Sequence, residues 1–305
     1  MKTYDVLVVG GGPGGYTAAL YAARSGLSVA VLEKLSAGGQ MATTSVIDNY
    51  PGFPDGVDGF DLGQQMEQQA QKYGAETIYG EVTEVDLYAD PKIIHSSEGD
   101  FAGRTVILAT GAYPRELGLP EEHELRGKGV AYCATCDGMM FRGKTVVVNG
   151  GGNTAAEDAL YLSKLCAKVY LVHRRDQLRA SAIYRKALDE QGVEILWNSR
   201  VTGLRKEKYL TGIELEDVKT GERRELACDG IFVAIGRVPD TAVFNGQVEL
   251  DSAGYIVADE TCRTNVPGVF AVGDVRTKAV RQVVTAAADG ANAAHFAEEY
   301  LMERL

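Results

Sequence analysis

The sequence lacks the features that direct a chain to or through a membrane. No apolar stretch approaches the length of about 18 residues that a membrane-spanning helix needs. The N-terminal segment MKTYDVLVVGGG enters a β-branched apolar run within a few residues, which leaves no room for a signal peptide. We therefore expect a soluble, cytoplasmic protein.

Basic residues are fewer than acidic residues in this chain. The chain has 31 Lys and Arg against 42 Asp and Glu, which gives a formal net charge of -11. Such a surface repels a phosphate backbone, so nucleic acid is not expected as a partner. The length of 305 residues leaves room for two domains.

Cysteine is scarce and unevenly placed. Of five cysteines, Cys166, Cys228 and Cys262 lie singly, whereas Cys133 and Cys136 form a close pair in AYCATCDGMMF. An odd number with this spacing is not a secreted disulfide framework. In a reducing compartment, a close pair is either half of a metal site or a catalytic dithiol.

Histidine is too scattered to complete a metal site with the cysteine pair. A closed zinc site needs four ligands, and the four histidines lie at positions 95, 123, 173 and 295. We therefore expect no metal and favour redox chemistry, in which one thiolate attacks a partner disulfide and the second resolves the mixed disulfide.

The chain contains an internal repeat. YDVLVVGGGPGGYTAALYAARSGLSVAVLEK begins at Tyr4, and KTVVVNGGGNTAAEDALYLSKLCAKVYLVHR begins at Lys144, 140 residues later. Each segment has an apolar run, a glycine turn, a stretch with helical periodicity and a second apolar run. Each is therefore predicted to be a βαβ unit.

The first copy carries the pattern of a dinucleotide site. Its turn is Gly10-x-Gly12-x-x-Gly15, and Glu33 ends the second predicted strand. The glycines allow a tight turn and close approach of a pyrophosphate to the helix N-terminus, and the carboxylate can accept hydrogen bonds from a ribose. A glycine turn alone is weak evidence, but the complete unit favours binding.

The second copy differs where Glu33 stands in the first. Its turn is Gly150-x-Gly152-x-x-Ala155, and the matching residue is His173, followed by Arg174, Arg175 and, further on, Arg179. Guanidinium groups bind a 2′-phosphate that a carboxylate would repel, so this site favours NADPH over NADH. A solvated basic face is the alternative. One tightly held FAD and one exchangeable NADPH are the natural pair of cofactors.

Two similar segments mark the domain boundaries. Residues 105–120 and 230–241 each combine an apolar run with Gly and Pro, and the second βαβ unit lies between them. After them, Gly273 and Asp274 end a predicted strand, and a long helix is expected from about Arg281. The fold class is therefore α/β, with two Rossmann-like FAD- and NAD(P)-binding domains, the second inserted into the first.

Several motifs together resemble one family. They are GGGPGG at Gly10, GGQMATT at Gly38, ATGAYPR at Ala109, CATCDG at Cys133, GGGNTAAEDAL at Gly150, HRRDQLRAS at His173 and GDVRTKAVRQ at Gly273. Across nearly its whole length the chain resembles the low-molecular-weight, NADPH-dependent (class II) thioredoxin reductases. The resemblance implies an FAD domain of residues 1–115 and 243–305, an NADPH domain of residues 116–242 that carries the CxxC pair, and a homodimer.

The resemblance also implies individual site residues. The implied flavin contacts are Gly10, Gly12, Pro13, Gly15, Glu33, Gly39, Gln40, Asn49, Val82, Thr110, Gly111, Asp274, Arg281, Gln282 and Val283. The implied NADPH contacts are Gly152, Asn153, Thr154, His173, Arg174, Arg175 and Arg179. In the implied catalysis Cys133 attacks the partner, Cys136 faces the flavin and Asp137 moves the proton, although a turn-forming Asp before Gly138 is the alternative reading.

The expected electron path runs from NADPH through FAD and the Cys133–Cys136 disulfide to oxidised thioredoxin. Nicotinamide and dithiol must both reach one flavin, so rotation of the inserted domain about residues 113–119 and 236–241 is expected. Met139 and Met140 stand where the family has aromatic residues, which leaves the preferred thioredoxin open. Arg126, Lys128 and Arg142 either complement an acidic partner or are solvated loop charges.

Two other functions are compatible with these residues. One is a flavin disulfide reductase that serves a glutaredoxin-like or peroxidase-linked partner, or that is fed by ferredoxin. The other is a non-catalytic flavoprotein that senses NADPH through its dithiol. The arginine cluster argues against ferredoxin as the electron donor. Steady NADPH turnover with a disulfide substrate separates the enzyme from the sensor.

Overall fold

The structure is a computed structural model that describes residues 1–44 and 46–304. It divides into two compact units. The outer unit comprises Met1–Tyr113 and Val238–Leu305, and the inserted unit comprises Pro114–Arg237. The predicted α/β class, with one unit inserted into the other, is confirmed.

Strands and helices alternate along much of the chain. The strands are β1 Lys2–Val9, β2 Val29–Glu33, β3 Glu76–Tyr79, β4 Val82–Asp86, β5 Lys92–Ser96, β6 Gly99–Leu108, β7 Ala112–Pro114, β8 Val130–Ala131, β9 Thr145–Gly150, β10 Lys168–Val172, β11 Glu194–Leu196, β12 Ser199–Lys206, β13 Leu210–Asp217, β14 Arg223–Ala227, β15 Gly230–Ala234, β16 Arg237–Pro239 and β17 Val269–Ala271. The α-helices are α1 Pro13–Arg24, α2 Gly59–Gln71, α3 Glu122–Leu125, α4 Ala134–Asp137, α5 Asn153–Ser163, α6 Ala182–Glu190 and α7 Val283–Met302. Short 3-10 turns cover Gly39–Thr43, Gly138–Phe141, Ala242–Phe244 and Gly273–Val275.

The outer unit is built on one sheet with the order β3-β2-β1-β6-β5-β4, in which β17 also pairs with β6. Strands β3, β2, β1, β6 and β17 run parallel, and β5 and β4 add an antiparallel edge. The apolar run of β1 lies at the centre and is buried, as expected for a parallel strand covered on both faces. The carboxyl ends of β1 and β2 place the glycine turn and Glu33 at one edge of this sheet.

Helices α1 and α7 pack closely against each other in the outer unit. Both present alanines to the contact, including Ala18 and Ala22 from α1 and Ala293 and Ala297 from α7, all buried. A Cβ on Gly290 would overlap the carbonyl oxygen of Gly14, so only glycine allows this approach. The late helix α7 is therefore part of the same core as the first βαβ unit.

The inserted unit repeats the design with a parallel sheet of order β11-β10-β9-β15-β8. Helix α5 follows β9 as α1 follows β1, which is the predicted repeat. A separate antiparallel sheet of β12, β13 and β14 completes the unit.

The chain crosses between units slightly earlier than the expected boundaries after residues 115 and 242. The crossings lie after Tyr113 and after Arg237. Asp240 belongs to the outer unit because its N–H donates to the carbonyl of Gly111 at 3.0 Å and its carbonyl accepts from Thr110 Oγ1 at 2.6 Å. Among the described residues, no helix has the length and apolar character to cross a membrane.

Candidate functional site

The first glycine turn is shaped by close backbone contacts on one side and open space on the other. A Cβ on Gly15 would overlap the carbonyl oxygen of Gly10, and Gly10 itself has φ +105°. A Cβ on Gly12 would meet nothing within 4 Å. No described side chain caps α1, which begins at Pro13, so its first N–H groups face this open side. A pyrophosphate fits such a cradle.

Glu33 is fixed against the turn. Its Oε2 accepts from the N–H of Gly11 at 2.7 Å and its Oε1 accepts from the N–H of Leu35 at 3.0 Å. Each oxygen keeps a second lone pair for a ligand hydroxyl. The residue is half-buried at the end of β2, where a ribose of a nucleotide on the turn would lie.

Other predicted flavin residues of the outer unit lie at several places along the chain. Gly39 lies close to Gly12, because a Cβ added to Gly39 would be 3.5 Å from the Cα of Gly12. Gln40 follows Gly39 in the same 3-10 turn. Asn49 Nδ2 donates to Gln282 Oε1 at 3.1 Å, which joins the early part of the chain to the start of α7 at Val283. The remaining predicted positions are Val82 at the start of β4, Thr110 and Gly111 after β6, and Asp274 in the 3-10 turn after β17.

Arg281 lies beside Asp274. Its Nε donates to the carbonyl of Asp274 at 3.3 Å, and its guanidinium lies 4.0 Å from the centre of the Tyr255 ring. The backbone contact holds the side chain over the turn that carries Asp274. The structure thus brings these two predicted residues together.

Asp289 is a buried residue that the sequence reasoning missed. Its Oδ2 accepts from the N–H of Gly273 at 2.9 Å and from Lys278 Nζ at 2.7 Å, and its two oxygens also bind the guanidinium of Arg276. Burial alone would raise the pKa of Asp289, but the hydrogen bonds from Arg276 and Lys278 outweigh it and lower that pKa. The signal in the sequence is an acid within the alanine-rich helix segment TAAADGANAA.

The second glycine turn has the same construction. A Cβ on Gly150 would overlap the carbonyl oxygen of Ala234, whereas a Cβ on Gly152 would meet nothing within 4 Å. Helix α5 begins at Asn153, followed by Thr154, and no described side chain caps it. This turn therefore also offers open backbone N–H groups to phosphate oxygens.

The basic loop after β10 is docked on this turn. The N–H groups of Arg179 and Ala180 donate to the carbonyl of Gly151 at 2.7 and 3.1 Å. The side chains of Arg174, Arg175 and Arg179 are exposed and form no ion pair with any residue that the structure describes. Three exposed guanidinium groups on one loop fit a phosphate monoester.

His173 lies below the turn and not in solvent. It is 6% exposed, its ring meets that of Trp197 edge to face, and Nε2 is 3.0 Å from the carbonyl oxygen of Gln177. A Cβ on Gly151 would overlap the imidazole, so the ring fills the space under that glycine. Its place in the inserted unit matches that of Glu33 in the outer unit.

Cys133 and Cys136 form a disulfide. Cys133 caps the short helix α4, and its carbonyl accepts from the N–H groups of Cys136 and Asp137 at 3.3 and 3.0 Å. Thr135 Oγ1 is 3.5 Å from Cys133 Sγ. The helical turn thus places both sulfurs and Asp137 within one short segment of the inserted unit.

The other cysteines are poor nucleophiles. Burial raises the pKa of Cys166 to about 11 and the pKa values of Cys228 and Cys262 to about 12. Among the described residues, no cluster of His, Cys, Asp and Glu has the arrangement of a metal site. Among the cysteines, the candidates for thiol–disulfide chemistry are therefore Cys133 and Cys136.

The segment before the disulfide is held by Glu122, a second residue that sequence reasoning missed. Glu122 is 1% exposed, and its carboxylate accepts from the N–H groups of Leu117 and Gly118, each at 2.8 Å, and from the hydroxyl of Tyr132 at 2.7 Å. It therefore ties the segment after the first crossing to the residue that precedes Cys133.

The surface beside the disulfide is partly apolar and basic. Met139 and Met140 are exposed, and Arg142 Nη2 lies 4.0 Å from Met139 Sδ. The guanidinium of Arg126 lies 5.0 Å from the centre of the Tyr132 ring. Lys128 is exposed as well. Met139, Met140, Lys128 and Arg142 are thus accessible, as a partner surface requires, whereas Arg126 is half-buried.

A family model described as pyridine nucleotide-disulphide oxidoreductase matches residues 4–290. The chain belongs to this family. Within the family, it is 48% identical over 301 residues to a thioredoxin reductase of Streptomyces clavuligerus, covering 97% of this chain and 94% of that one. It is 46% identical to a thioredoxin reductase of Treponema pallidum, covering 98% and 97% of the two chains.

Among solved structures, the oxidoreductase is similar to thioredoxin reductase from Streptococcus pyogenes, with a TM-score of 0.92, 42% identity and 99% of each chain covered. The resemblance drawn from the sequence motifs is confirmed. Its two glycine turns and its disulfide agree with a family named for pyridine nucleotides and disulphides.

Proposed function

We propose that this oxidoreductase is an NADPH-dependent thioredoxin reductase that uses FAD and the Cys133–Cys136 disulfide. One observation carries the proposal: a single inserted unit holds both the disulfide and a glycine turn with three exposed arginines, while the outer unit holds a second glycine turn with a carboxylate. The relatives named thioredoxin reductase support it.

The outer unit would hold FAD. Gly12 and the N-terminus of α1 would receive the pyrophosphate, and Glu33 would accept from ribose hydroxyls through its remaining lone pairs. Asp274 and Arg281 lie together at the turn before α7 and are proposed to contact the rest of the cofactor. When bound, FAD supplies two-electron transfer between NADPH and a disulfide.

The inserted unit would hold NADPH. Gly152, Asn153 and Thr154 offer backbone and side-chain donors for its pyrophosphate, and Arg174, Arg175 and Arg179 offer charge for its 2′-phosphate. A carboxylate in the place of His173 would repel that phosphate. The preference for NADPH over NADH would therefore come from this loop.

The dithiol would carry the electron pair out of the protein. After reduction, the Cys133 thiolate attacks one sulfur of the thioredoxin disulfide and releases the other as a thiolate. Cys136 then attacks Cys133, which frees reduced thioredoxin and restores the internal disulfide. Two electrons and two protons pass in each cycle, and Asp137 beside Cys136 is proposed to transfer a proton.

Both the nicotinamide and the dithiol would belong to the inserted unit, and both must reach one flavin. We propose that this unit rotates about residues 113–119 and 236–241 between half-reactions. We further propose a homodimer in the cytoplasm. Met139, Met140 and the basic residues Arg126, Lys128 and Arg142 would receive thioredoxin.

Rapid mixing of the flavin-loaded protein with NADPH or NADH, followed by oxidised thioredoxin, tests the function. We expect faster flavin bleaching with NADPH and continuous NADPH consumption once thioredoxin is added. Cys133→Ser and Cys136→Ser should each abolish consumption, whereas Cys166→Ser should not, because that thiol is outside the dithiol. Consumption that stops after one equivalent would indicate a sensor, and preference for NADH would contradict the role of the arginines.

A further inference from the structure

The loop that carries the three arginines is held at several points by its own unit. Gly151 accepts two backbone N–H groups from the loop, and Asn153 Oδ1 accepts from the N–H of Ser181 at 3.1 Å. On the other side, the N–H of Asn198 donates to the carbonyl of Arg175 at 3.2 Å. These bonds fix the two ends of the loop and leave its middle, near Gln177, to be held by side chains.

The side chain of His173 forms a hydrogen bond with the middle of this loop. A carbonyl oxygen can only accept, so Nε2 of His173 carries the hydrogen that binds the carbonyl of Gln177. The bond closes a turn from His173 to Gln177 that includes Arg174 and Arg175. Burial lowers the pKa of His173, the bond to Gln177 acts against this shift, and the nearby positive charges of Arg179, Arg175 and Arg174 add to it. The imidazole is therefore neutral at physiological pH.

The acid of the loop, Asp176, is paired with a lysine of another turn. Asp176 Oδ2 lies 3.5 Å from Lys219 Nζ at the β13–β14 turn. The three arginines are exposed on a loop whose backbone is already held by hydrogen bonds. Fixing a binding loop before the ligand arrives lowers the entropy lost on binding.

We propose that His173 is a positioning residue for recognition of the 2′-phosphate. It holds the loop through Gln177 so that Arg174, Arg175 and Arg179 surround the phosphate, and it does not touch the coenzyme. This inference rests on the proposed use of NADPH. It gives His173 a different part from the direct contact that the family resemblance implies.

The position that matches His173 in the outer unit is Glu33, whose side chain accepts hydrogen bonds instead of donating one. There, Glu33 accepts a hydrogen bond from the N–H of Gly11 and keeps lone pairs for a ribose. At the matching place, His173 turns its donor to its own loop and fills the space under Gly151. The same position would thus bind a ribose hydroxyl in the outer unit and would support a phosphate-binding loop in the inserted unit.

Calorimetry on the flavin-loaded protein tests the inference with 2′,5′-ADP and 5′-AMP as probes. Without the bond to Gln177, the arginines must be ordered on binding, so His173→Leu should weaken 2′,5′-ADP about tenfold. Binding of 5′-AMP, which lacks the 2′-phosphate, should not change. His173→Gln, which keeps a donor of similar reach, should restore most of the affinity.

A double-mutant cycle separates positioning from direct contact. When Arg174, Arg175 and Arg179 are all replaced by Met, His173→Leu should cause no further loss, because its effect passes through them. An equal loss in both backgrounds, an unchanged affinity in the single variant, or a matching loss of 5′-AMP binding would each overturn the inference. A parent protein with no preference for 2′,5′-ADP over 5′-AMP would instead refute the proposed use of NADPH.

Nitrogen NMR of the four histidines gives a readout that needs no variant to fold. We expect His173 to be neutral, with its hydrogen on Nε2, both before and after 2′,5′-ADP is added. Conversion to an imidazolium on binding would identify a direct phosphate ligand and would contradict the positioning role.

Discussion

At the scale of single residues, Asp289 holds the turn that contains Asp274. Its carboxylate joins Gly273, Arg276 and Lys278, and both cationic side chains are less than a tenth exposed. Because the folded protein lowers the pKa of Asp289, its stabilising effect is complete above the ordinary Asp pKa of about 3.9. That effect is lost as the pH falls towards the lowered pKa.

Replacement of Asp289 should therefore be costly at neutral pH. Asp289→Asn leaves two buried cations without a counter-charge, and we expect a loss of about 3 kcal/mol in the free energy of unfolding of the outer unit. Urea unfolding followed by circular dichroism measures it. The difference from the parent protein should begin to shrink below about pH 4, where the unfolded parent chain takes up a proton on Asp289. It should be lost only as the pH falls through the lowered pKa of the folded state.

Two controls accompany this measurement. Glu299→Gln makes the same kind of change on α7, but it breaks an exposed pair with Arg263, so we expect less than about 1 kcal/mol. Trp197, the one tryptophan, lies in the inserted unit and reports its unfolding separately. A destabilisation that is independent of pH would contradict the ionic account.

The residues that sequence could predict are those defined by chain spacing. The glycines of both turns, Glu33 and the cysteine pair fall at fixed offsets along the chain. Asp289 and Glu122 act through partners brought close by folding, and the burial of His173 depends on Gly151 and Trp197 around it. No local pattern encodes such contacts.

At the scale of elements, the contact between α1 and α7 supports the first glycine turn. Gly290 lies against the backbone of α1 at Gly14, two residues after Gly12. Any side chain there must push the helices apart. The position of the turn thus depends on a helix about 270 residues later in the chain.

Gly290→Ala should destabilise the outer unit even though alanine favours helix formation. We expect a net loss of about 2 kcal/mol from overpacking, together with weaker FAD binding. Thermal unfolding and flavin titration measure the two effects. Asn292→Ala, on the exposed side of α7, should change stability by less than about 0.5 kcal/mol. Equal stability of the Gly290 variant and the parent would show that α1 and α7 are not tightly packed.

Helix starts show why the sequence locates elements well but their ends less well. A helix was expected from about Arg281, and α7 begins at Val283 because the side chains of Gln282 and Thr285 form a reciprocal capping box. In the sequence alone, a residue that caps a helix cannot be distinguished from a residue in its first turn, because the difference lies in their hydrogen bonds.

At the scale of the whole molecule, the proposed rotation makes turnover depend on freedom between the two units. Treatment with a short amine-reactive crosslinker, followed by mass spectrometry, sorts molecules by whether a link joins the units. We expect molecules with a link between units to retain FAD and to lose thioredoxin reduction. Molecules linked only within one unit serve as the control and should remain active. Full activity after linkage between the units would contradict the rotation.

The insertion itself was predictable because a repeated βαβ pattern and two similar boundary segments are visible in the chain. The crossings were harder to locate, since Asp240 joins the outer unit through hydrogen bonds to Thr110 and Gly111 that link distant parts of the sequence.

The split of the outer unit has a consequence for biosynthesis. The ribosome completes the inserted unit, which is one continuous segment, before it makes β17 and α7. The core of the outer unit therefore cannot be completed until the last part of the chain is made, and until then α1 lacks its contact with α7. The proposed FAD site draws residues from both ends of the sequence, so the flavin would be acquired last, by a nearly finished protein.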